Sequence, residues 1–409
     1  MNRGTNGKCR RMLLTLSTAG FMLAACLPAA PLPQSAAGPA QAVKITRSEF
    51  AAAYLRFEMS MLGARLAEAD EARVNREFDG LTLLFFTGNF SEAIRRLNAL
   101  TDSIDPRTAA AKAPDFAFLR AQSEPLRPKA GKLRAELDAL PASSPELAQA
   151  SAAVKARLRV LAEPFDPENT TQLLMEPQLL WTQVEAEAGA LKKGLDPFKG
   201  RKGDYWSVVK NGDREIPVRV FYPPRADLSQ PLPLVIAFHG AGGDENMFMD
   251  GYGAGLIKRL AEKHKFLLVT PLTNAFGGTE MGPAFDALLT ALGYDYAIDP
   301  QRVFVLGHSA GGMLTNGLLA LRGEKISAAA CLCGFSGFKD ETRAIPRTLV
   351  IAGELDPIVS PARIEPAFKK ARAAGYPVEY RLIKNFGHTL LVAKVLPDVT
   401  DWLLGRRPD

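Results

Sequence analysis

The sequence contains few of the residues on which disulfide frameworks and metal centres depend. It has only four cysteines and four histidines among its 409 residues. Cys9 and Cys26 lie near the N-terminus, so Cys331 and Cys333 remain for the body of the chain. On a predicted strand these two residues would point to one face, where a disulfide between them is geometrically awkward. We interpret them as small buried thiols, and the sequence predicts no metal site.

The sequence also lacks a basic segment interleaved with aromatic residues, which is typical of nucleic-acid binding. The formal net charge is +6, but four basic residues and no acidic residue lie in the first 25 positions. The rest of the chain is therefore nearly neutral, and nucleic acid is not a predicted partner. The hydrophobic fraction of 47% excludes a largely disordered chain, and the length predicts more than one domain.

The first 25 residues have the layout of a secretory signal peptide. A basic start precedes an apolar stretch over residues 12–25, which is too short to span a bilayer stably. The segment Leu23-Ala24-Ala25-Cys26 resembles the lipobox of bacterial lipoproteins.

That resemblance implies that Cys26 becomes the lipidated first residue of the mature protein. Acyl chains on Cys26 would hold the protein at a membrane of the bacterial cell envelope, either in the periplasm or exposed at the surface. Leu27 follows the cysteine where an aspartate would indicate the inner membrane, so the resemblance favours the outer membrane. A plain signal peptide with an incidental cysteine is the alternative.

Two segments precede the part of the chain in which we predict the site. Residues 26–43 are rich in proline and alanine, which predicts an extended tether. Residues 44–200 show helical periodicity and predict an all-helical domain, with an irregular connection over residues 105–128. The helical domain contains no histidine, and we predict that it has no chemistry of its own. It could cover a site, bind a protein partner or hold the remainder of the chain away from a membrane.

The pattern changes in residues 201–409. Two strands joined by a turn at Asn211-Gly212 predict a hairpin. Later strands alternate with helical segments, which predicts an α/β fold with a mainly parallel sheet and helices on both faces. The predicted strands are residues 205–209, 218–222, 234–238, 266–270, 303–306, 328–332, 349–352 and 378–383.

The segment Gly307-His308-Ser309-Ala310-Gly311 follows one of these buried strands and precedes a helix. It matches G-x-S-x-G, in which the serine sits on a sharp turn with its hydroxyl exposed above the sheet. The glycines are required because neighbouring backbone passes close to the strained serine. The sequence therefore predicts that Ser309 is a nucleophile.

A serine nucleophile needs a base, and the base needs a third group to orient it. His388 lies in a glycine-containing loop after the last strand, so it can reach the carboxyl edge of the sheet. Asp356 lies in the loop after the strand over residues 349–352, where Pro357 fixes the backbone, and Glu354 is the alternative. The order Ser309, Asp356, His388 is the order of the α/β-hydrolase triad.

The negative oxygen formed during acyl transfer needs backbone N–H donors, each of which contributes roughly 3 kcal/mol. Ala310, directly after the serine, is one predicted donor. The second is expected from the turn His239-Gly240-Ala241-Gly242-Gly243, with Ala241 preferred and Gly242 as the alternative.

Residues 238–244 (FHGAGGD), residues 298–313 (IDPQRVFVLGHSAGGM) and the loops of Asp356 and His388 resemble the polyhydroxybutyrate depolymerase-like and feruloyl-type carboxylesterases. The resemblance covers the C-terminal half of the chain. It implies an α/β-hydrolase fold and an esterase that needs no cofactor and acts on a small or polymeric ester.

We therefore predict a lipid-anchored serine carboxylesterase. Two alternatives remain open at this point. The Asp-Pro-x-Arg-Val run over residues 299–303 also occurs in serine peptidases of the prolyl-oligopeptidase type. A lipoprotein that binds a partner and uses the hydrolase body only as a scaffold is the second alternative.

Overall fold

The computed structural model describes residues 47–105, 115–141, 144–166, 169, 176–339 and 344–406. These residues belong to one compact unit, Ile45–Asp409. The predicted signal peptide, Cys26 and the tether lie outside the described residues. Within the described residues, no helix combines the length and the apolar character that crossing a membrane requires.

The described residues contain an eight-stranded sheet with the strand order β1-β2-β4-β3-β5-β6-β7-β8. Strands β1 and β2 form an antiparallel hairpin, β2 pairs antiparallel with β4, and the remaining pairs are parallel. This confirms the predicted α/β-hydrolase fold. The strands are β1 Gly203–Asn211, β2 Arg214–Tyr222, β3 Leu232–Phe238, β4 Leu267–Pro271, β5 Ile298–His308, β6 Ala328–Leu332, β7 Arg347–Gly353 and β8 Val378–Ile383.

The hairpin loop lies one residue later than predicted. Asn211 pairs with Arg214, so the two-residue loop consists of Gly212 and Asp213. Gly212 has φ 60°, which a glycine adopts without the steric penalty of a side chain. Strand β5 begins at Ile298, five residues before the predicted start at Val303.

The helices follow each other along the chain and are named here in order. They are α1 Arg47–Gly63, α2 Glu68–Phe86, α3 Phe90–Ile104, α4 Phe116–Ser123, α5 Arg127–Asp138, α6 Pro145–Ala162, α7 Pro177–Lys192, α8 Leu256–His264, α9 Met281–Asp295, α10 Ala310–Arg322, α11 Pro361–Ala373 and α12 Leu391–Leu403.

Alternation along the central strands produces two hydrophobic cores, one on each face of the sheet. Leu234 and Ile236 of β3 pack in the core that contains residues of α9 and α10. Val235 and Ala237, which point the other way, pack in the core that contains residues of α8 and α12. The centre of the sheet is therefore buried on both sides, as the apolar sequence of β3 predicts.

The helices before the sheet form two groups that pack in different places. Helices α1 to α3 share a hydrophobic cluster that includes Phe57, Phe78 and Leu97, together with Leu390 from the loop before α12. Helices α5 to α7 contribute to the core of one sheet face. Gln149 of α6 also hydrogen bonds to the backbone of β1.

The prediction of an irregular connection over residues 105–128 is wrong in part. Residues 116–123 form α4, and α5 begins at Arg127. Pro128 lies in the first turn of α5, where proline is tolerated because the N–H groups there have no helical partner. Residues 106–114 lie outside the described residues.

Cys331 and Cys333 are buried free thiols, as predicted. The prediction that they share one face is wrong, because Cys331 and Cys333 pack in different hydrophobic clusters. Strand β6 ends at Leu332, and Cys333 has φ 51°, so the alternation of the strand does not extend to it.

Candidate active site

Ser309 lies on a sharp turn between strand β5 and helix α10. Strand β5 ends at His308 and the helix begins at Ala310, so the serine alone makes the connection. Its dihedral angles are φ 54° and ψ −115°, a strained conformation for a residue with a side chain. The Ser309 N–H donates to the carbonyl oxygen of Leu332 at 2.8 Å, which ties the turn to the end of β6.

The glycines on either side of this turn are required by the backbone around them. A Cβ atom on Gly307 would overlap the carbonyl group of Gly311. A Cβ atom on Gly311 would overlap the carbonyl group of Phe238, at the end of β3. The steric reason given for the G-x-S-x-G pattern therefore holds in this structure.

Asp356 and His388 are hydrogen bonded to each other at the same edge of the sheet. His388 Nδ1 lies 2.7 Å from Asp356 Oδ2, and the aspartate side chain is fully buried. Asp356 Oδ1 accepts from the N–H groups of Ile358 and Val359, each at 2.8 Å. A buried carboxylate is costly unless it is paired, and these three hydrogen bonds supply its partners.

Glu354, the alternative acid, does not contact the imidazole of His388. It lies in the exposed turn after β7, and its Oε2 accepts from the N–H of Asn385 at 3.0 Å. Glu354 therefore supports the loop of His388 from outside, whereas Asp356 contacts the imidazole itself. The structure brings Asp356 rather than Glu354 into the position predicted for the orienting acid.

Ser309 and His388 line one cavity of about 390 Å³. The turn that contains Ala241 and Gly242 lines the same cavity. Ala310 is the first residue of α10, where an N–H has no partner within the helix. The candidate nucleophile, the candidate base and the turn of the second oxyanion donor thus line one cavity, and Ala310 directly follows the nucleophile.

His239 holds the turn of Ala241 in place. Its Nε2 accepts from the N–H of Thr273 at 2.9 Å, so Nδ1 carries the proton and donates to the carbonyl of Gly240 at 2.8 Å. Burial lowers the pKa of His239, which keeps the imidazole neutral. His239 is therefore a structural residue of the turn.

His308 contacts the backbone of His388, and this contact was not predicted from the sequence. Its Nε2 donates to the carbonyl of His388 at 3.0 Å, and its Nδ1 accepts from the Tyr252 hydroxyl at 2.7 Å. Burial lowers the pKa of His308 well below its usual range, so the ring is neutral and both nitrogens have defined roles.

Three potential metal donors lie close together, and their hydrogen bonds account for the arrangement. Atoms of His308, Cys333 and His388 lie within 4.8 Å of one another. Both nitrogens of His308 and Nδ1 of His388 are occupied by the bonds described above. Burial and the nearby Asp356 raise the pKa of the Cys333 thiol, which opposes formation of the thiolate.

Helix α2 also contacts the site. This contact was not predicted, because residues 44–200 contain no histidine and were assigned no chemistry. Asn75 and Asp79, one helical turn apart, accept hydrogen bonds from the N–H groups of Gly387 and His388. They lie among the apolar residues Val74, Phe78 and Leu81, all of which are buried. Two polar residues at i and i+4 on an apolar face were the available signal in the sequence.

The strand order and the turn at Ser309 are those of an α/β-hydrolase fold with a serine at the elbow. No protein-family model matches the chain. Feruloyl esterase B of Neurospora crassa is 27% identical over 144 residues, which cover 31% of this chain and 47% of that protein. The chain therefore spans about half the length of this curated relative and is its distant homologue.

Two solved structures align with part of the chain. A thermostable esterase aligns with a TM-score of 0.43 and 22% identity, over 49% of this chain and 62% of that one. A CE1 ferulic acid esterase of the anaerobic fungus Anaeromyces mucronatus aligns with a TM-score of 0.41 and 15% identity, over 47% and 88% of the two chains.

The substitution Asp356→Asn tests the orienting bond. The new amide can still accept from the N–H groups of Ile358 and Val359, but its NH₂ group would face His388 Nδ1. That nitrogen would then become an acceptor, and Nε2 would carry the proton and be unable to act as base. We expect covalent labelling of Ser309 by a fluorophosphonate to slow by roughly 10³- to 10⁴-fold.

Glu354→Gln is the matched control, because it removes the neighbouring charge without touching the imidazole. It should label within about threefold of wild type, a surface-substitution effect. Equal labelling of the two variants would contradict the role of Asp356.

Proposed function

We propose that the protein is a serine carboxylesterase that hydrolyses its substrate through an acyl-enzyme. The observation that carries the proposal is the bond of 2.7 Å between His388 and the buried Asp356, beside a cavity that Ser309 also lines. The distant homology to feruloyl esterase B supports an ester as the substrate.

The first half of the reaction forms the acyl-enzyme. His388 Nε2 takes the proton of the Ser309 hydroxyl as its oxygen attacks the ester carbonyl, and Asp356 stabilises the resulting imidazolium. The carbonyl oxygen becomes negative and accepts hydrogen bonds from the N–H groups of Ala310 and Ala241, with Gly242 as the alternative donor. The C–O bond to the alcohol then breaks, and His388 returns the proton to the departing alcohol.

The second half releases the acid. His388 takes a proton from a water molecule, which attacks the acyl-enzyme carbonyl and forms a second negative oxygen in the same place. When the bond to Ser309 breaks, the serine oxygen recovers the proton from His388. One ester and one water thus become one acid and one alcohol, and the protein is unchanged.

We also propose that Cys26 carries a lipid that holds the protein at a bacterial membrane. The support is the sequence Leu23-Ala24-Ala25-Cys26 after a basic and then apolar segment. More than one acyl chain on Cys26 would make the attachment stable, since a single chain binds membranes only marginally.

Replacement of the serine tests the enzyme proposal. Ser309→Ala should lower kcat for small acyl esters by about 10⁶-fold, because it removes the nucleophile on which the other groups act. Ser229→Ala, an exposed serine far along the chain from the elbow, should leave kcat unchanged. Steady-state hydrolysis of short acyl esters measures both.

Aminoacyl amides assayed in parallel separate an esterase from a peptidase of the prolyl-oligopeptidase type. We expect ester turnover with little amide turnover. Efficient cleavage of the amides and not of the esters would replace the esterase proposal with the peptidase. Ester hydrolysis that persists in Ser309→Ala would contradict both.

Substitution of the N-terminal cysteines tests lipidation. In a bacterial host fed an alkyne-bearing fatty acid, the wild-type protein should take up the label and partition into detergent. Cys26→Ser should lose both properties because no thiol remains to be acylated. Cys9→Ser is the matched control and should retain them, since Cys9 lies inside the predicted signal. Equal labelling of Cys26→Ser and wild type would contradict the assignment.

A further inference from the structure

The cavity beside Ser309 has a wall that comes from outside the α/β-hydrolase body. Helices α1 and α2 contribute most of this wall, which we call the aromatic wall, and its main members are Phe50, Tyr54, Phe78, Leu81, Phe85 and Phe86. The volume of about 390 Å³ lies in the range of small-molecule sites, roughly 300 to 1,000 Å³.

The aromatic residues of the wall form a packed group. The ring centres of Phe50 and Phe85 are 5.0 Å apart, and those of Phe85 and Phe86 are 5.5 Å apart. Phe90 of α3 packs behind them, 5.7 Å from Phe85. Contacts of this kind hold the rings in defined positions and make the wall a preformed surface.

The aromatic wall directly adjoins the turn that is proposed to bind the oxyanion. A Cβ atom on Gly242 would lie 2.7 Å from Phe85 Cε1 and 3.1 Å from Phe86 Cε1. Arg47, the first residue of α1, donates to the Gly242 carbonyl. A group attached to an ester carbonyl at Ser309 would therefore lie close to these rings.

The charged side chains at the cavity already have partners. The Arg47 guanidinium is bound to Gly242 and lies 5.9 Å from the Phe85 ring centre. Asp244 accepts from the N–H of Asn246 at 3.0 Å. The remaining wall is apolar, so it favours an apolar ligand over a charged one.

We infer that the aromatic wall binds an alkyl chain of medium length on the ester, next to the scissile bond. This inference rests on the proposed esterase function and adds the class of substrate. It also gives α1 and α2 a direct role in specificity.

The test compares esters that differ in size on one side of the bond. Methyl acetate is the small reference ester. Methyl octanoate has a larger acyl group, and octyl acetate has a larger alcohol group. Wild type should show at least about tenfold higher kcat/KM for one of the large esters than for methyl acetate. Phe85→Ala should reduce that preference, the ratio of kcat/KM for the large ester to kcat/KM for methyl acetate, by about tenfold or more.

Two further variants make the test independent of folding damage. Leu83→Ala changes a residue of the same helix that is 68% exposed, and it should keep the wild-type preference. Ala51→Trp fills the cavity from an exposed position on α1 and should selectively reduce turnover of the large ester.

A wild type that cleaves methyl acetate without preferring either large ester would overturn the inference and leave the esterase intact. Equal preferences in Phe85→Ala and Leu83→Ala would do the same. Failure of every ester, together with no labelling of Ser309, would overturn the esterase proposal itself.

A second and independent observation concerns the loop that carries His388, residues 384–390. Three side chains of α2 hold this loop. Glu68 Oε1 accepts from Asn385 Nδ2 at 2.9 Å, Asn75 Oδ1 accepts from Gly387 N–H at 2.9 Å, and Asp79 Oδ2 accepts from His388 N–H at 2.7 Å. Residues 68, 75 and 79 recur at helical spacing, so one face of α2 follows the loop.

Asp79 packs closely against the His388 loop and is almost completely buried. Asn75 is 1% exposed and Asp79 is 3% exposed. A Cβ atom on Gly387 would overlap the Asp79 carboxylate, so only glycine permits this approach. Burial raises the pKa of Asp79 to about 6, and the His388 N–H opposes that rise. A buried carboxylate is energetically costly, and Asp79 forms its hydrogen bond with the loop of the proposed base.

We propose that Asp79 and Asn75 are positioning residues that fix the backbone of His388. Helix α2 thereby sets the direction of the imidazole ring, while Asp356 determines which ring nitrogen carries the proton. Displacement of the loop would misplace His388 Nε2 relative to Ser309 without changing the aromatic wall.

The test measures kcat and KM separately for each variant. Titration with a fluorophosphonate counts the active sites, and kcat is expressed per titrated site so that unfolded protein is not counted. Asp79→Ala should lower kcat by roughly 10- to 100-fold and leave KM within about threefold, because a small misplacement of the base affects the chemical step. Asp79→Asn should recover most of the loss, since its amide oxygen can accept from the His388 N–H.

Glu77→Ala is the matched control, because Glu77 lies on the same helix and its side chain is 49% exposed. It should retain wild-type kcat, and Asn75→Ala should resemble Asp79→Ala in a milder form. The proposal fails if Asp79→Ala keeps the kcat of Glu77→Ala. It also fails if Asp79→Asn, at equal thermal stability, recovers none of the lost kcat.

Discussion

The hydrogen bond between His388 and Asp356 is the interaction on which the rest of the site depends. It joins the loops after β7 and β8, and it is formed by a carboxylate that has no access to solvent. Such a carboxylate is tolerated only with a full set of partners, and the N–H groups of Ile358 and Val359 complete that set. The bond therefore fixes both the position and the tautomer of the imidazole that faces the cavity of Ser309.

Two of the helices before the sheet, α1 and α2, line the cavity beside this hydrogen bond. Helix α2 contacts the His388 loop through Asn75 and Asp79, and α1 and α2 form the wall of the cavity with Phe50 and Phe85. The same two helices therefore contact the loop of the proposed base and line the cavity beside Ser309. The roles proposed for α1 and α2 therefore fall on residues that lie outside the resemblance to carboxylesterases.

Local patterns in the sequence were sufficient to predict the sheet and the order of the candidate triad along the chain. The apolar runs of β3 and β5 and the glycines around Ser309 have local steric causes, so they can be recognised in one stretch of chain. The contacts of Asp79 and His308 could not be predicted in this way, because their partners are 309 and 80 residues away along the chain. Periodicity assigned α2 an apolar face without indicating that the face would meet the His388 loop.

The most direct test of the account is a crystal structure of the protein after reaction with an alkyl fluorophosphonate. We predict a covalent bond to Ser309 Oγ, with the phosphonyl oxygen accepting from the N–H of Ala310 and from that of Ala241 or Gly242. His388 Nε2 should lie within hydrogen-bonding distance of the adduct, and the alkyl chain should lie against Phe50 and Phe85. An adduct on another residue, or one at Ser309 whose phosphonyl oxygen faces solvent with His388 turned away, would contradict the account.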